Sequence, residues 1–246
     1  MPYSKLKYYS ILVLLVTGML SCTSGLSTEK LNNISVLHAA IEIKQSPVDK
    51  NDNTVVVRLT DENGRTVSND SLTVFVNGIE EKLNHRQGLY YSDESSYVFS
   101  NVPVQDRYGV DIKLSDGKKY FLGSVKALAV ENPKNIQCAE VGDINKDFLI
   151  QWHDLIDLDE LSVFVGMTEK TEPNITTMAN KDEKIINFKN SGSFTVPKSE
   201  YKTGKSTING IEFTFRTTKT GQVNPDLLPQ SSISIHTEIG KYVTFD

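Results

Sequence analysis

The chain has 246 residues, with 31 acidic and 26 basic side chains and a formal net charge of −5. Non-specific nucleic-acid binding requires clustered lysines and arginines, so this mildly acidic composition excludes nucleic acid as a partner. The two cysteines, Cys22 and Cys138, are too few for a disulfide framework. Hydrophobic cores must therefore hold the fold together.

The first 21 residues are predicted to be a secretory signal peptide. Lys5 and Lys7 precede an apolar run from Ile11 to Leu20. A membrane-spanning helix needs about 20 apolar residues, so this run is too short to cross a bilayer. The stretch 22–33 has no apolar periodicity and is predicted to be a flexible tether.

The signal ends in Met19-Leu20-Ser21-Cys22, which resembles the lipobox of bacterial lipoproteins. The resemblance implies that Cys22 becomes the first mature residue and carries acyl chains, and two or more chains anchor a protein stably. The pattern is similar to Bacteroidota-type envelope lipoproteins, which implies a lipid-anchored protein at the outer membrane. The sequence does not distinguish the periplasmic from the cell-surface side of this membrane. The alternative to a lipoprotein signal is a plain secretory signal with a chance cysteine.

The rest of the chain is predicted to consist of short antiparallel strands. Apolar residues alternate with polar ones between dipeptides that favour tight hairpins, and no segment keeps a helical period. The four turn dipeptides are Asn63-Gly64, Asn77-Gly78, Asp116-Gly117 and Asn209-Gly210. A polar stretch with a proline at 131–135 predicts a linker, so we expect one domain at 34–130 and another at 131–246.

Two stretches resemble known β-sandwich families. The stretch 100–114 is similar to the E–F corner of an immunoglobulin-like domain, which implies that Tyr108 is the corner tyrosine and that Val110, Ile112 and Leu114 are core. The stretch 147–166 is similar to strands B and C of a fibronectin type III domain. That likeness implies that Trp152 is buried, with Phe148, Ile150, Leu161, Val163 and Val165. The predicted fold class is all-β, with two tandem antiparallel β-sandwiches.

Asp143, Asn145 and Asp147 place oxygen donors at alternate positions, a spacing that can wrap Ca²⁺. The glycine and the glutamate of a full EF-hand-type loop are missing at the places where that loop needs them. A polar turn, in which these side chains bond to the backbone, is therefore favoured over a metal site.

A second polar cluster contains His153, Asp154, Asp157 and Asp159, with Glu160 beside them. A histidine among acids suggests a binding or acid–base site, but runs of charge are usually solvated loops. The solvated loop is favoured, and the binding site is kept as a candidate.

Function is predicted mainly from what the sequence lacks. No nucleophile motif or phosphate loop is present, and His38, His85 and His236 have no partner at metal-ligand spacing, so we expect neither an enzyme nor a cofactor. The first hypothesis is a non-enzymatic envelope lipoprotein that binds another envelope protein or has a structural role. The alternative is a carbohydrate-binding lipoprotein accessory to a polysaccharide importer. A hydrolase that uses the acids of 153–160 is the weakest hypothesis.

Overall fold

The computed structural model describes residues 26–27, 30–67, 69–87, 93–172 and 175–245. These residues form β-strands and three 3-10 helices, with no α-helix among them. The prediction of an all-β fold is therefore confirmed. The 3-10 helices span Ile34–Val36, Pro133–Asn135 and Lys198–Glu200.

Ten strands of the described ranges precede the predicted linker. They are β1 (Leu26–Ser27), β2 (Leu37–Lys44), β3 (Thr54–Asp61), β4 (Thr66–Val67), β5 (Thr73–Val76), β6 (Ile79–Glu81), β7 (Asn84–Gln87), β8 (Asp93–Phe99), β9 (Arg107–Lys113) and β10 (Lys119–Lys126).

Eleven strands follow it in the part of the chain that the structure describes. They are β11 (Ile136–Gln137), β12 (Val141–Gly142), β13 (Phe148–Trp152), β14 (Glu160–Glu172), β15 (Ile175–Met178), β16 (Lys184–Asn187), β17 (Gly192–Val196), β18 (Lys202–Thr203), β19 (Ser206–Thr220), β20 (Gln222–Val223) and β21 (Ser232–Phe245).

A first buried cluster lies between two layers of antiparallel strands, and we call this unit the first sandwich. One layer contains β2, β3 and β8, and the other contains β5, β9 and β10. Alternate residues of each strand point into this cluster, as expected for strands with one wet face. Tyr108 is buried with Val110, Ile112 and Leu114. Burial raises the pKa of Tyr108 to about 12, and its hydroxyl lies 3.5 Å from Gln45 Oε1.

A second buried cluster defines the second sandwich. The sheet β11–β13–β17 covers one side of this cluster, and β14, β19 and β21 cover the other. Every second residue of β13 is buried from Phe148 to Trp152. The Trp152 ring packs edge-on against Phe188 and Phe215, with ring centroids 5.1 and 5.3 Å away.

The hairpin formed by β19 and β21 reaches both sandwiches. Residues 232–236 of β21 pair in parallel with β2, and β20, which lies between β19 and β21 in the chain, pairs with β10. Leu227, Ile233 and Ile235 belong to the first cluster, although they lie in the range 131–246. Ile239 and Val243, further along β21, belong to the second cluster.

The first sandwich also includes part of the range predicted to be a tether. β1 pairs in parallel with β4, and Leu31 is buried in the first cluster. The carbonyl of Leu31 accepts a hydrogen bond from Ser115 N–H at 3.1 Å. The chain is thus packed against the body of the protein at Leu31.

One of the four predicted hairpin turns is wrong. Gly64, Gly78 and Gly117 have the positive φ angles that such turns require. Asn209-Gly210 instead lies inside β19, where Gly210 pairs with Gly166 on β14 and Thr244 on β21. A side chain packed over Gly210, described below, gives the physical reason for a glycine inside this strand.

Candidate functional site

Asp143, Asn145 and Asp147, for which a polar turn is favoured over a metal site, lie in a hydrogen-bonded turn just before β13. Asp143 Oδ1 accepts the N–H of Asn145 at 2.9 Å, and Asp147 Oδ1 accepts the N–H of Lys198 at 2.8 Å. The Asn145 N–H bond and the Lys146 side chain lower the pKa of Asp143 below its ordinary value. Within the described ranges, no group of three or more His, Cys, Asp or Glu side chains has the arrangement of a metal site.

The four residues of the second predicted site do not converge. His153 Nδ1 and Asp154 Oδ2 lie 3.0 Å apart, and both side chains are exposed. Asp157 Oδ2 instead accepts the N–H of Ala129 at 2.5 Å. Asp159 pairs with Lys219 on β19. The three acids therefore interact with three different partners, namely His153, the N–H of Ala129 and Lys219.

Neither cysteine adds a described reactive site. Cys22, the predicted lipidation site, lies outside the described residues. Cys138 is half-buried, and burial raises the pKa of its thiol. Raising a thiol pKa lowers the fraction of nucleophilic thiolate, so Cys138 has the character of a structural residue.

An aromatic–carboxylate–aromatic row crosses the outward face of the second sandwich. Phe164 on β14 is in register with Glu212 on β19, and Glu212 is in register with Tyr242 on β21. The second cluster contains residues next to them on each strand, namely Val163, Val165, Ile211, Phe213 and Val243, so these three face away from it. Phe164 is half-buried, Glu212 is exposed, and Tyr242 keeps 57% of its surface exposed. We call these three residues the distal row.

The spacing of the distal row follows from the sheet. Neighbouring strands lie about 4.8 Å apart, so the two aromatic side chains leave the sheet about 10 Å from each other. The Glu212 side chain leaves the sheet midway between them, from the strand in the middle. The row is therefore an open platform rather than a pocket.

The phenol end of the Tyr242 side chain packs directly over Gly210. A Cβ atom built at Gly210 would be only 2.7 Å from Tyr242 Cζ and would also collide with the hydroxyl. The phenol end thus lies against the strand backbone, in space that only a glycine leaves free. On the adjacent strand, a Cβ at Gly166 would meet no atom closer than 3.5 Å, so the surface above Gly166 is open.

Exposed apolar side chains surround the distal row. The exposed fraction of the residue surface is 77% for Met178, 56% for Ile185 and 53% for Val141. Their register partners are Thr168, Ser162 and Thr244, which alternate outward on β14 and β21. Grouped apolar exposure of this kind marks interaction surfaces in soluble proteins.

Ion pairs border the platform on the side of the first sandwich. Arg216 is in register with Glu160 and Glu238, and its side chain bonds to Glu160 Oε1 at 2.5 Å. This bond to Glu160 raises the pKa of Arg216. Glu183 also accepts a hydrogen bond from Ser162. The charges here are already paired, which leaves the distal row as the part of this face with an exposed ring.

Two shallow concavities of about 350 and 420 Å³ lie where the two sandwiches meet. The larger has backbone walls from residues 104–106 and 126–129, and Ile156 is at its rim. Two of the N–H groups in these walls, those of Ala127 and Ala129, are already hydrogen-bonded. The smaller is lined mainly by polar side chains, among them Lys44, Asp52 and Glu238, and neither concavity has an exposed aromatic ring in its lining.

No residue of the distal row was among the predicted site residues. A signal for it existed, because alternation puts Phe164 and Glu212 on the solvent side of their strands, and an outward phenylalanine is unusual there. The gathering of these residues with Tyr242 depends on strand pairing, which the local sequence does not state.

The described residues contain no helix that is long and apolar enough to span a membrane. No protein-family model matches the chain, and no curated protein is similar to it. Among solved structures, the chain is similar to the Bacteroides ovatus mixed-linkage glucan utilization locus protein SGBP-B, solved in complex with a mixed-linkage heptasaccharide. The identity is 15%, and the match covers 91% of this chain and 46% of that one, with a TM-score of 0.22. The chain therefore spans less than half of that protein's length.

Proposed function

We propose that this protein is a non-enzymatic, carbohydrate-binding lipoprotein of the bacterial envelope and that the distal row is its glycan-contacting surface. The observation that supports the proposal is the exposed Tyr242 ring, seated over Gly210 beside the Glu212 carboxylate. The carbohydrate-binding alternative is thereby preferred to a purely structural role.

The chemistry of the row suits a sugar. An aromatic ring offers an apolar face on which the C–H groups of a sugar ring can pack. A carboxylate between two rings accepts hydrogen bonds from sugar hydroxyls, and charge-assisted bonds of this kind are the stronger ones. The two aromatic side chains start about 10 Å apart, which gives room for more than one sugar unit along the row. An open face also lets a polymer pass at both ends.

A second candidate function is the docking of another envelope protein on the same face. Met178, Ile185 and Val141 support it, because methionine and exposed aliphatic side chains are common in protein interfaces. The two functions differ in the side chains on which they depend. Glycan binding requires Tyr242 and Glu212, whereas protein docking depends on the surrounding aliphatic side chains.

A glycan array probed with the chain from residue 23 onward tests the proposal, because this form contains every described residue. Tyr242→Ala is expected to weaken binding to the best glycan by about tenfold or more, equal to about 1.4 kcal/mol. Leu149→Ala is the matched control, since Leu149 is an exposed apolar residue on the other sheet. Silence across the array, or equal binding by Tyr242→Ala and the parent, would contradict the proposal.

Gly166→Thr offers a test that removes no contact. A side chain at Gly166 fits in open space, so we expect the melting temperature to change little. The new side chain would fill the surface beside Tyr242 and reduce glycan binding. Unchanged binding with an unchanged fold would place the contact surface elsewhere.

Anchoring at Cys22 completes the proposal. We expect Cys22→Ala to abolish labelling with a fatty-acid probe and to release the protein from the membrane fraction, because the acyl chains would be lost. A Cys22→Ala protein that stays labelled and membrane-bound would show that the lipobox interpretation is wrong.

A further inference from the structure

The first sandwich carries a second aromatic–carboxylate–aromatic row on the outward face of its β5–β9–β10 layer. Phe75 on β5 is in register with Asp111 on β9, and Asp111 is in register with Phe121 on β10. Phe75 and Asp111 are half-buried, and Phe121 is 43% exposed. We call these three residues the proximal row.

A lysine completes the polar part of the proximal row. Lys119 Nζ lies 3.0 Å from Asp111 Oδ2 and 4.6 Å from the centre of the Phe75 ring. The ammonium group is therefore held between the carboxylate and the aromatic face. A hydroxyl-rich ligand next to Phe121 would find an acceptor in Asp111 and a donor in Lys119, while the Phe121 ring stays available for stacking.

The direction of Phe121 is fixed by the backbone. A β-bulge follows Phe121 in the pairing of β10 with β9, and Leu122 next to it is fully buried. Asn224 Nδ2 donates to the carbonyl of Phe121 at 2.9 Å, and Asn224 N–H donates to the carbonyl of Leu122 at 2.8 Å. Bulges commonly re-aim side chains at functional surfaces, and here the bulge presents an aromatic ring to solvent.

We propose that the proximal row is a second carbohydrate-contacting site, so that one protein holds two glycan segments. The proposal rests on the proposed function of the distal row. Its ligand class is a neutral polysaccharide, because the exposed Glu212 carboxylate of the distal row would repel a charged acidic sugar, and the Lys119–Asp111 pair of the proximal row has no net charge.

The two rows lie on opposite sides of the sheet that the sandwiches share. The core-facing residues of β21 in the first cluster, Ile233 and Ile235, have the same parity as Ile239 and Val243 in the second. The distal row is on the outer side of this sheet. The β5–β9–β10 layer packs against the inner side of the shared sheet, and the proximal row is on the face of that layer that points away from the sheet. Two separate polymer segments are therefore bound, and the protein cross-links them.

The test combines two readouts on the chain from residue 23 onward. The probes are soluble mixed-linkage β-glucan, xyloglucan and galactomannan. Affinity gels that contain each polymer measure retention, and light scattering of dilute polymer with added protein measures cross-linking. Tyr242→Ala, Phe121→Ala and Asp111→Asn are compared with the Leu149→Ala control, after each variant is checked for an unchanged melting temperature.

We expect each single variant to retain some binding, weakened roughly tenfold, and to lose polymer cross-linking. The Tyr242→Ala/Phe121→Ala double variant should lose retention altogether. If Tyr242→Ala alone abolishes retention and Phe121→Ala changes nothing, the second site is refuted while the proposed function stands. If the parent protein is retained by no polymer, the proposed function fails and the second site with it. If only Phe121→Ala and Asp111→Asn matter, the proximal row binds the glycan and the distal row does not.

Discussion

Gly210 illustrates how one residue serves a side chain on another strand. Asn-Gly favours a tight turn, but at this position the chain continues through β19. The glycine is needed because the phenol end of Tyr242 lies where a Cβ would be. A sequence pattern reports local backbone preference, and it carries no information on a ring that arrives from a distant strand. For this reason the turn was predicted wrongly and the distal row was missed.

Gly210→Ala is expected to destabilise the protein and to displace Tyr242. The added Cβ would lie 2.7 Å from Tyr242 Cζ and 2.9 Å from the carbonyl oxygen of Val243. Overpacking of this kind costs about 1–3 kcal/mol. Thermal melting measures the cost, and near-ultraviolet circular dichroism follows the tyrosine.

The double-mutant cycle with Tyr242→Ala is the control for that result. Once the ring is removed, Gly210→Ala should cost less, because only the clash with Val243 remains. Equal costs in both backgrounds would indicate that the ring does not depend on Gly210.

Trp152 tests the core of the second sandwich. Its side chain is 5% exposed, contacts the rings of Phe188 and Phe215, and donates from Nε1 to the carbonyl of Lys189 at 3.1 Å. Trp152→Ala should therefore cost about 3–5 kcal/mol, as other aromatic-to-alanine changes in cores do. In the parent, tryptophan emission should be blue-shifted and poorly quenched by acrylamide. Free quenching would contradict the buried position.

At the scale of strands, alternation was sufficient to predict which side chains are buried. The predicted core positions of β9, β13 and β14 are all buried in the structure. Which strands pair with each other was harder to predict from the sequence. The parallel pairing of β2 with β21 joins segments nearly a whole chain apart, and alternation alone cannot specify a partner. The same limit hid both aromatic rows, since each row consists of residues from three strands.

The turn between β3 and β4 predicts a pH dependence of stability. Burial of Asp61 opposes ionisation, but hydrogen bonds from Arg65 and Asn63 outweigh it and lower the pKa of Asp61 below 3.8. Arg65 Nη2 lies 2.7 Å from Asp61 Oδ2. A folded-state pKa below the unfolded value stabilises the protein above the unfolded pKa, and this contribution is lost as the pH falls through the folded pKa.

Asp61→Asn is therefore expected to lower stability at neutral pH and to flatten the loss of stability below pH 3.8. Urea unfolding at a series of pH values measures both effects. Asp116→Asn is a suitable control, because Asp116 also accepts a turn N–H, that of Lys118, but pairs with a lysine that is 74% exposed. A parallel pH profile for Asp61→Asn and the parent would refute the assignment.

At the scale of the whole molecule, the two sandwiches are joined by more than the linker. Glu131 Oε1 accepts the N–H groups of Ile156 and Asp157 at 2.9 and 3.1 Å, and Asp157 in turn accepts the N–H of Ala129. Glu131 is 5% exposed. These reciprocal bonds fix the predicted linker to the loop that follows β13, and the β19–β21 hairpin crosses the same junction. Asp157, a residue of the candidate binding cluster, thus contacts the linker.

Glu131→Ala should destabilise the junction, because two partly buried N–H groups would lose their charged acceptor, at a cost of about 1–3 kcal/mol. Amide hydrogen exchange should increase at Ile156 and Asp157. Glu140→Ala is a comparison variant with an exposed side chain. No change in exchange at these two amides would contradict the role of Glu131.

The shared hairpin also predicts that the two sandwiches unfold together. β21 contributes Ile233 and Ile235 to the first cluster and Ile239 and Val243 to the second, so loss of either core removes support from the same strand. Calorimetry should give one transition whose measured enthalpy equals the van't Hoff enthalpy. Trp152→Ala should move that single transition by several degrees. A fragment that ends at residue 130 should be degraded in limited proteolysis, because it lacks three apolar residues of the first cluster. Two separate transitions, or a protease-resistant fragment ending near residue 130, would instead mean that the first sandwich folds without β21.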